Sequence, residues 1–68
     1  MNAFEYFRKK AKMTQEEVAK ALGISRTTVT KWETGAALPV SGKLTAIADL
    51  YNCTIDALMR TDENEKPA

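Results

Sequence analysis

Apolar residues recur every three or four positions along most of this chain, which is the spacing of α-helices that bury one face. Four residues near the N-terminus share that spacing: Phe4, Phe7, Arg8 and Ala11. They predict a first helix over about residues 3–11, with an arginine on its inward face. No segment alternates apolar and polar residues as a half-buried strand does. The pattern therefore predicts an all-α chain.

Two further helices are predicted on either side of a glycine. Thr14 is a good N-cap, and Glu17 completes a capping box for a helix that Gly23 ends. The apolar stripe of this second helix consists of Val18, Ala19 and Leu22. Ser25 is the N-cap of a short third helix that Gly35 closes by taking a positive φ. The inward positions of the third helix are Val29 and Trp32, and both are expected to pack in the core.

The second half of the chain predicts two more helices. A loop at residues 35–39 leads to a helix that stops near Asn52 and has four apolar positions: Leu44, Ile47, Ala48 and Tyr51. Thr54 caps a fifth helix, which places three apolar residues on one side: Ile55, Leu58 and Met59. Residues 61–68 are acidic and polar and contain proline, so we expect a disordered tail. The predicted architecture is five short helices around one core, in a single domain of residues 1–60.

Composition excludes several classes of function. At 68 residues the chain has room for one small domain. It has one cysteine, Cys53, and no histidine, so neither an internal disulfide nor an ordinary zinc site can form, and we expect a buried, inert thiol. Without histidine, an acid–base pair or a phosphate-binding glycine loop, we expect no enzyme, metal, cofactor or small-molecule ligand. No apolar run has the roughly 20 residues of a membrane helix and no secretory signal is seen, which indicates a cytoplasmic protein.

Basic residues are concentrated in one half of the sequence. Residues 8–31 contain seven basic and two acidic residues, a balance of +5, whereas residues 32–68 have a balance of −3 and the whole chain +1. Such a run is as compatible with a solvated surface as with a phosphate-binding one. The charge pattern alone therefore does not decide between them.

Residues 15–32, QEEVAKALGISRTTVTKW, have the spacing of a helix-turn-helix. Ala19 lets the two helices approach closely, Gly23 supplies the positive φ of the turn, and Val29 packs one helix onto the other. The outward positions of the third helix, which is the second helix of the motif, are hydrogen-bonding or cationic: Arg26, Thr27, Thr30 and Lys31. In helix-turn-helix proteins the start of this helix meets base edges in the major groove, while the preceding helix crosses the phosphate backbone. The motif therefore indicates binding to duplex DNA.

The chain resembles the Cro and phage-repressor superfamily, the lambda-repressor-like or XRE-type helix-turn-helix regulators. The resemblance covers about residues 4–59 and is carried, in the family's order, by three segments: FRKKAKMTQEEVAKALGIS, TTVTKWETG and KLTAIADLYNCTIDALM. It implies a lambda-repressor-like DNA-binding domain in which helices 2 and 3 form the helix-turn-helix. Three positions depart from the family pattern, with Lys12 and Asn52 standing where glycine is usual and Thr34 where asparagine is common.

The resemblance also implies roles for single residues. The expected base readers are Arg26, Thr27 and Lys31, to which the outward-facing Thr30 is added. The expected phosphate contacts are Gln15, Thr28, Thr34 and Gly35, together with Ser25 at the start of the third helix. In this family an arginine of the first helix pairs with a glutamate at the end of the recognition helix, and Arg8 and Glu33 occupy those places. Such a pair explains the arginine on an apolar face.

The function expected from these features is transcription regulation, most simply by a phage- or plasmid-type repressor. Its partner is a double-stranded DNA operator, which it binds as a homodimer because one recognition helix covers few base pairs. In the fifth helix, Leu58 and Met59 either form the dimer interface or are used by the core. Two alternatives stay open: the antitoxin of a toxin–antitoxin pair, and a protein-interaction module on the same fold.

Overall fold

Five α-helices follow one another in the computed structural model, which describes residues 2–59. They are α1 (Ala3–Lys10), α2 (Gln15–Leu22), α3 (Arg26–Thr34), α4 (Ser41–Tyr51) and α5 (Ile55–Leu58). No strand occurs within residues 2–59, so the expectation of an all-α fold is confirmed. None of these five helices is long and apolar enough to cross a membrane. The predicted acidic tail lies outside the described residues.

Side-chain caps begin four of the helices. Thr14 and Glu17 form the predicted capping box of α2, with each side chain accepting a hydrogen bond from the other residue's backbone amide. The Ser25 and Thr54 hydroxyls accept from amides in the first turns of α3 and α5. Asn2 does the same for α1. Helix α4 begins after Val40, which provides no side-chain cap. The polar residues before these helices therefore fix where the helices start.

Left-handed backbone follows the first four helices. Gly23 and Gly35 have φ values of 70° and 83°, as a glycine after a helix end permits. Lys12 and Asn52 also have positive φ, 60° and 56°, although they carry side chains. Both positions at which the resemblance implies glycine therefore have the left-handed backbone that glycine favours, and Lys12 adopts it although its Cβ atom is crowded there.

All five helices contribute buried residues to one core. Its buried members are Phe4, Val18, Ala19, Val29, Trp32, Ile47, Ala48, Tyr51 and Leu58. Trp32 is 4% exposed and its ring centroid lies 6.4 Å from that of Phe4, so the expected core position of the indole is confirmed. Because both inward residues of α3 are held in this core, the opposite face of α3 is presented to solvent.

The C-terminal part differs from the expectations in two respects. The three apolar residues expected on one side of α5 are unequally buried: Leu58 is 1% exposed, whereas Ile55 and Met59, the latter just after the helix, are 40% and 46% exposed. A helix of four residues is too short for a periodic stripe to fix its orientation. Cys53 is half-buried rather than buried, and burial raises the pKa of its thiol.

Candidate nucleic-acid interface

A nearly buried ion pair joins α1 to the last turn of α3. Arg8 Nε donates to Glu33 Oε2 at 2.6 Å, and Arg8 Nη2 donates to Glu33 Oε1 at 3.1 Å. Their side chains are 11% and 5% exposed. Arg8 Nη1 donates at 2.9 Å to the carbonyl oxygen of Met13, in the connection between α1 and α2. The structure therefore brings together the two residues predicted to pair, and ties them to the start of the helix-turn-helix.

Ion pairing neutralises part of the basic charge of residues 8–31. Hydrogen bonding to Glu33 raises the pKa of Arg8, and the nearby carboxylate charge acts in the same direction while burial opposes it. Arg8 is therefore a balanced internal cation and not one presented to a polyanion. Lys9 is also paired, with Glu5 at 3.1 Å. The balance of +5 in residues 8–31 thus overstates the cationic charge that faces solvent.

Gln15, at the start of α2, connects the ion pair to the exposed side of α3. Its Nε2 donates to Glu33 Oε1 at 2.9 Å. Its Oε1 accepts from Thr30 Oγ1 at 3.1 Å and from Arg26 Nε at 3.3 Å. The side chain is half-buried, whereas the sequence led us to expect an exposed phosphate contact. The Gln15 amide therefore lies at the start of α2, as expected, and also holds two of the expected base readers, Arg26 and Thr30.

The predicted base readers lie along one side of α3, and we call Arg26, Thr27, Thr30 and Lys31 the reading face. Their spacing of three and four residues places them as neighbours on a helix. Arg26, Thr27 and Lys31 are exposed and Thr30 is half-buried. The reading face therefore offers two cations and two hydroxyls to a partner.

The predicted phosphate contacts lie at both ends of α3. Ser25 Oγ accepts from the Thr28 amide at 3.3 Å and lies 3.0 Å from Thr28 Oγ1. At the other end, the Thr34 hydroxyl donates to the Lys31 carbonyl at 3.3 Å, and the Gly35 amide donates to the same oxygen. The Gly35 amide is therefore not free to donate to a phosphate. What Gly35 offers a phosphate is close access to the backbone, because it has no side chain.

An open hollow of about 440 Å³ lies between the start of α2 and Arg26. It is lined by Arg8, Met13, Thr14, Gln15, Glu16 and Arg26. The first backbone amides of a helix lack acceptors within the helix. At the start of α2 the Glu17 amide donates to the Thr14 hydroxyl. The amides of Gln15 and Glu16 are therefore available to an external acceptor. The sequence reasoning did not assign a role to Glu16, although its place in the first turn was visible. Its exposed carboxylate works against an anion in this hollow.

Asn2 is a further contact that the sequence reasoning missed. Its Nδ2 donates to the carbonyl oxygen of Trp32 at 2.7 Å, from 30 residues away in the chain. Its Oδ1 accepts from the Glu5 amide at 3.1 Å. An asparagine before a helix signals an N-cap, but nothing in the pattern signals the second bond.

Within residues 2–59, no cluster of three or more side chains with metal-ligating oxygen or sulfur atoms is present.

The sequence profile of the Helix-turn-helix family matches residues 4–58. The chain is 37% identical over 62 residues to the HTH-type transcriptional regulator DicA of Escherichia coli (strain K12), covering 91% of this chain and 46% of that one. It is 40% identical over 62 residues to the cryptic phage CTXphi transcriptional repressor RstR of Vibrio cholerae serotype O1, covering 87% and 55%. It is 39% identical over 51 residues to the HTH-type transcriptional activator BcrR of Enterococcus faecalis, covering 75% and 25%. The chain spans between a quarter and just over half the length of these relatives.

Proposed function

The chain belongs to the Helix-turn-helix family, and on this premise we propose that it binds duplex DNA sequence-specifically through α3 and regulates transcription. The expected resemblance to Cro and phage repressors is thereby confirmed at the level of the family. The observation that carries the proposal is the reading face, whose polar side chains point away from a helix fixed in the core by Val29 and Trp32.

Arg26 is the principal base reader in this proposal. Gln15 engages its Nε, which leaves the two Nη groups of the guanidinium to face a base. A guanidinium in the major groove pairs best with the O6 and N7 acceptors of guanine, and such a contact discriminates by about 1 to 3 kcal/mol. Thr27, Thr30 and Lys31 complete the set of base readers along the same face.

Phosphate contacts flank the reading face on both sides. At the start of α2, the free amides of Gln15 and Glu16 and the cation Arg26 favour a phosphate in the hollow, and they outweigh the opposing charge of the Glu16 carboxylate in this proposal. At α3, the hydroxyls of Ser25, Thr28 and Thr34 are short hydrogen-bonding groups, and Gly35 lets a phosphate approach the backbone. These contacts set the orientation of α3 on the duplex, and the base contacts set the preferred sequence.

We extend the proposal to a homodimer on DNA. Leu58 is used by the core, so the interface falls to the exposed Ile55 of α5 and the exposed Met59 just after it. A dimer places two copies of α3 in successive major grooves, about 34 to 36 Å apart. The most economical role is that of a cytoplasmic, non-enzymatic repressor whose bound dimer blocks a promoter. A repressor and an activator both occur among the relatives, so a reporter assay must decide the sign of regulation.

Selection from randomised duplex DNA at fixed salt tests the proposal. The expected result is an enriched site with two symmetric half-sites about one helical turn apart. No enrichment would contradict the proposal and favour the protein-interaction module. An operator together with a tightly co-purifying protein would indicate the antitoxin, and protection of a single half-site in a footprint would contradict the dimer.

Two double variants of matched charge locate the interface. Arg26→Ala with Lys31→Ala removes two exposed cations from the reading face and should abolish enrichment while leaving the circular dichroism spectrum unchanged. Lys9→Ala with Lys10→Ala removes the same charge from α1 and should keep the enriched sequence. Equal losses from both pairs would show that binding depends on net charge and not on α3.

A further inference from the structure

Asn2, the N-cap of α1, contacts the last turn of α3. Asn2 uses both halves of its amide: Oδ1 caps α1 through the Glu5 amide at 3.1 Å, and Nδ2 donates to the Trp32 carbonyl at 2.7 Å. The second bond is the shorter one and joins residues that are 30 positions apart. Capping of α1 does not require it, because a cap needs only an acceptor.

The Trp32 carbonyl is among the backbone groups that a helix cannot satisfy itself. The last four carbonyls of a helix lack partners within it, and α3 ends at Thr34. The amides that follow this end, those of Ala36 and Ala37, both donate to the Lys31 carbonyl, at 2.9 and 3.2 Å. Asn2 therefore satisfies an acceptor that the chain after α3 leaves open.

Three contacts from α1 and its N-cap reach this one turn. Besides the Asn2 bond, the Phe4 ring lies against Trp32 with a centroid distance of 6.4 Å, and Arg8 pairs with Glu33. The ring contact fixes the distance between the helices and the ion pair fixes one side chain. Of the three, only the Asn2 bond acts on the backbone of α3 and so has a direct effect on the direction of its last turn.

We propose that Asn2 is a positioning residue for DNA readout, which sets the placement of Lys31 and Thr34 by holding the backbone between them. This inference rests on the proposed DNA-binding function. A displacement of the last turn moves Lys31 along the groove and changes which base edge it reaches, whereas Arg26 at the other end of α3 stays in place through Gln15. Asn2 itself touches no DNA.

Asn2→Asp separates this role from capping. Aspartate is an equally good N-cap, and its charge suits a helix N-terminus, so α1 keeps its start. It has no donor for the Trp32 carbonyl, and its oxygens repel that carbonyl. Thr54→Ala is the matched control, since it removes a cap whose oxygen accepts from the Ala57 amide at 3.0 Å in α5.

Two readouts test the proposal. Amide hydrogen exchange at Ala36 and Ala37, relative to that at Ile24 in the α2–α3 turn, should become about fivefold faster in Asn2→Asp and stay unchanged in Thr54→Ala. On single-base variants of the selected operator, Asn2→Asp should change the relative affinities about threefold at the base pair that Lys31→Ala identifies. The preference that Arg26→Ala identifies should remain.

Each failure has a distinct meaning. Unchanged exchange at Ala36 and Ala37 would overturn the Asn2–Trp32 contact as a restraint, whatever happens on DNA. Faster exchange with an unchanged ranking of operators would overturn the positioning role, as would an equal change of ranking in Thr54→Ala. If the parent protein selects no operator, both the proposed function and the positioning role are contradicted. Hydrogen exchange at Ala36 and Ala37 then still tests whether the Asn2–Trp32 bond restrains the end of α3.

Discussion

The two ends of α3 are held in different ways. Its last turn is fixed from behind by α1, through a nearly buried ion pair, an aromatic contact and the Asn2–Trp32 bond. Its first turn and the Thr30 that follows are held by hydrogen bonds among polar groups at or near the surface. Gln15 accepts from Arg26 and from Thr30, and the Ser25 and Thr28 hydroxyls bond to each other. A helix that reads DNA needs a fixed direction and adaptable side chains. The last turn of α3 meets the first requirement and the first turn meets the second.

One hydrogen bond prevents the two ends from being independent. Glu33 Oε1 accepts from Arg8 at 3.1 Å and from Gln15 at 2.9 Å. Gln15 in turn accepts from both Thr30 and Arg26. A change at the ion pair can therefore reach the reading face through a single amide, and variants on either side of Gln15 test how far it does.

The largest effect should come from removing the charge at the last turn. Arg8→Met leaves the Glu33 carboxylate, 5% exposed, without its cation. We expect a loss of about 3 to 5 kcal/mol in the free energy of unfolding, measured by denaturant titration. Arg8→Met combined with Glu33→Leu should cost less than Arg8→Met alone. Equal losses would show that the pair does not support this end.

At the first turn, Gln15→Ala should affect DNA binding more than stability. The sequence led us to expect a backbone contact whose loss weakens all operators alike. Because Gln15 also holds Arg26 and Thr30, we now expect about tenfold weaker binding together with a flatter preference at the bases those residues read. The salt dependence should scarcely change, since the amide is neutral.

The control for this variant is Gln15→Glu. It keeps an acceptor for Arg26 and Thr30 but loses the donor to Glu33, and it places a second carboxylate near that residue. It should therefore preserve the ranking of operators while lowering stability. A Gln15→Ala protein that keeps the parent's ranking at every position would show that the first turn holds its side chains without Gln15.

Local signals explain how much of this arrangement was predictable. Caps at Thr14, Ser25 and Thr54 act within a few residues, so the sequence places the helix starts. The pairing of Arg8 with Glu33 was reached through the family resemblance, since nothing local links residues 25 positions apart. The bonds of Gln15 and Asn2 depend on side-chain geometry after the helices pack, and no periodicity encodes them.

Alkaline pH should lower the free energy of unfolding through Tyr51, a buried residue of α4. Burial, reinforced by the Glu33 carboxylate, raises the pKa of this phenol above its ordinary value of 10.0. The folded state therefore favours the protonated phenol. This contribution to the free energy of unfolding is fully present below a pH of 10.0, the ordinary pKa, and is lost as the pH rises above it. We expect a loss of about 1 kcal/mol by pH 11. Unfolding of Tyr51→Phe should lack this part of the pH dependence, and identical slopes would contradict the assignment.

The smallest effect is expected at Lys12, where α1 turns into α2. Glycine adopts the φ of 60° without the crowding of a Cβ atom, so Lys12→Gly should raise the free energy of unfolding by at most about 1 kcal/mol. Asn52→Gly should gain less, because asparagine tolerates this conformation. Thermal unfolding compares them. A change in operator ranking with Lys12→Gly would show that this turn takes part in reading DNA.

The central claim is that Arg26, in the first turn of α3, is the principal base reader, while contacts from α1 and Asn2 hold the last turn in place. The most direct test is the affinity of Arg26→Ala for every single-base variant of the selected operator, at fixed salt. The account predicts that discrimination worth about 1 to 3 kcal/mol disappears at one base pair of each half-site and that the ranking at all other positions is kept. An Arg26→Ala protein that retains the parent's ranking at every position would contradict it.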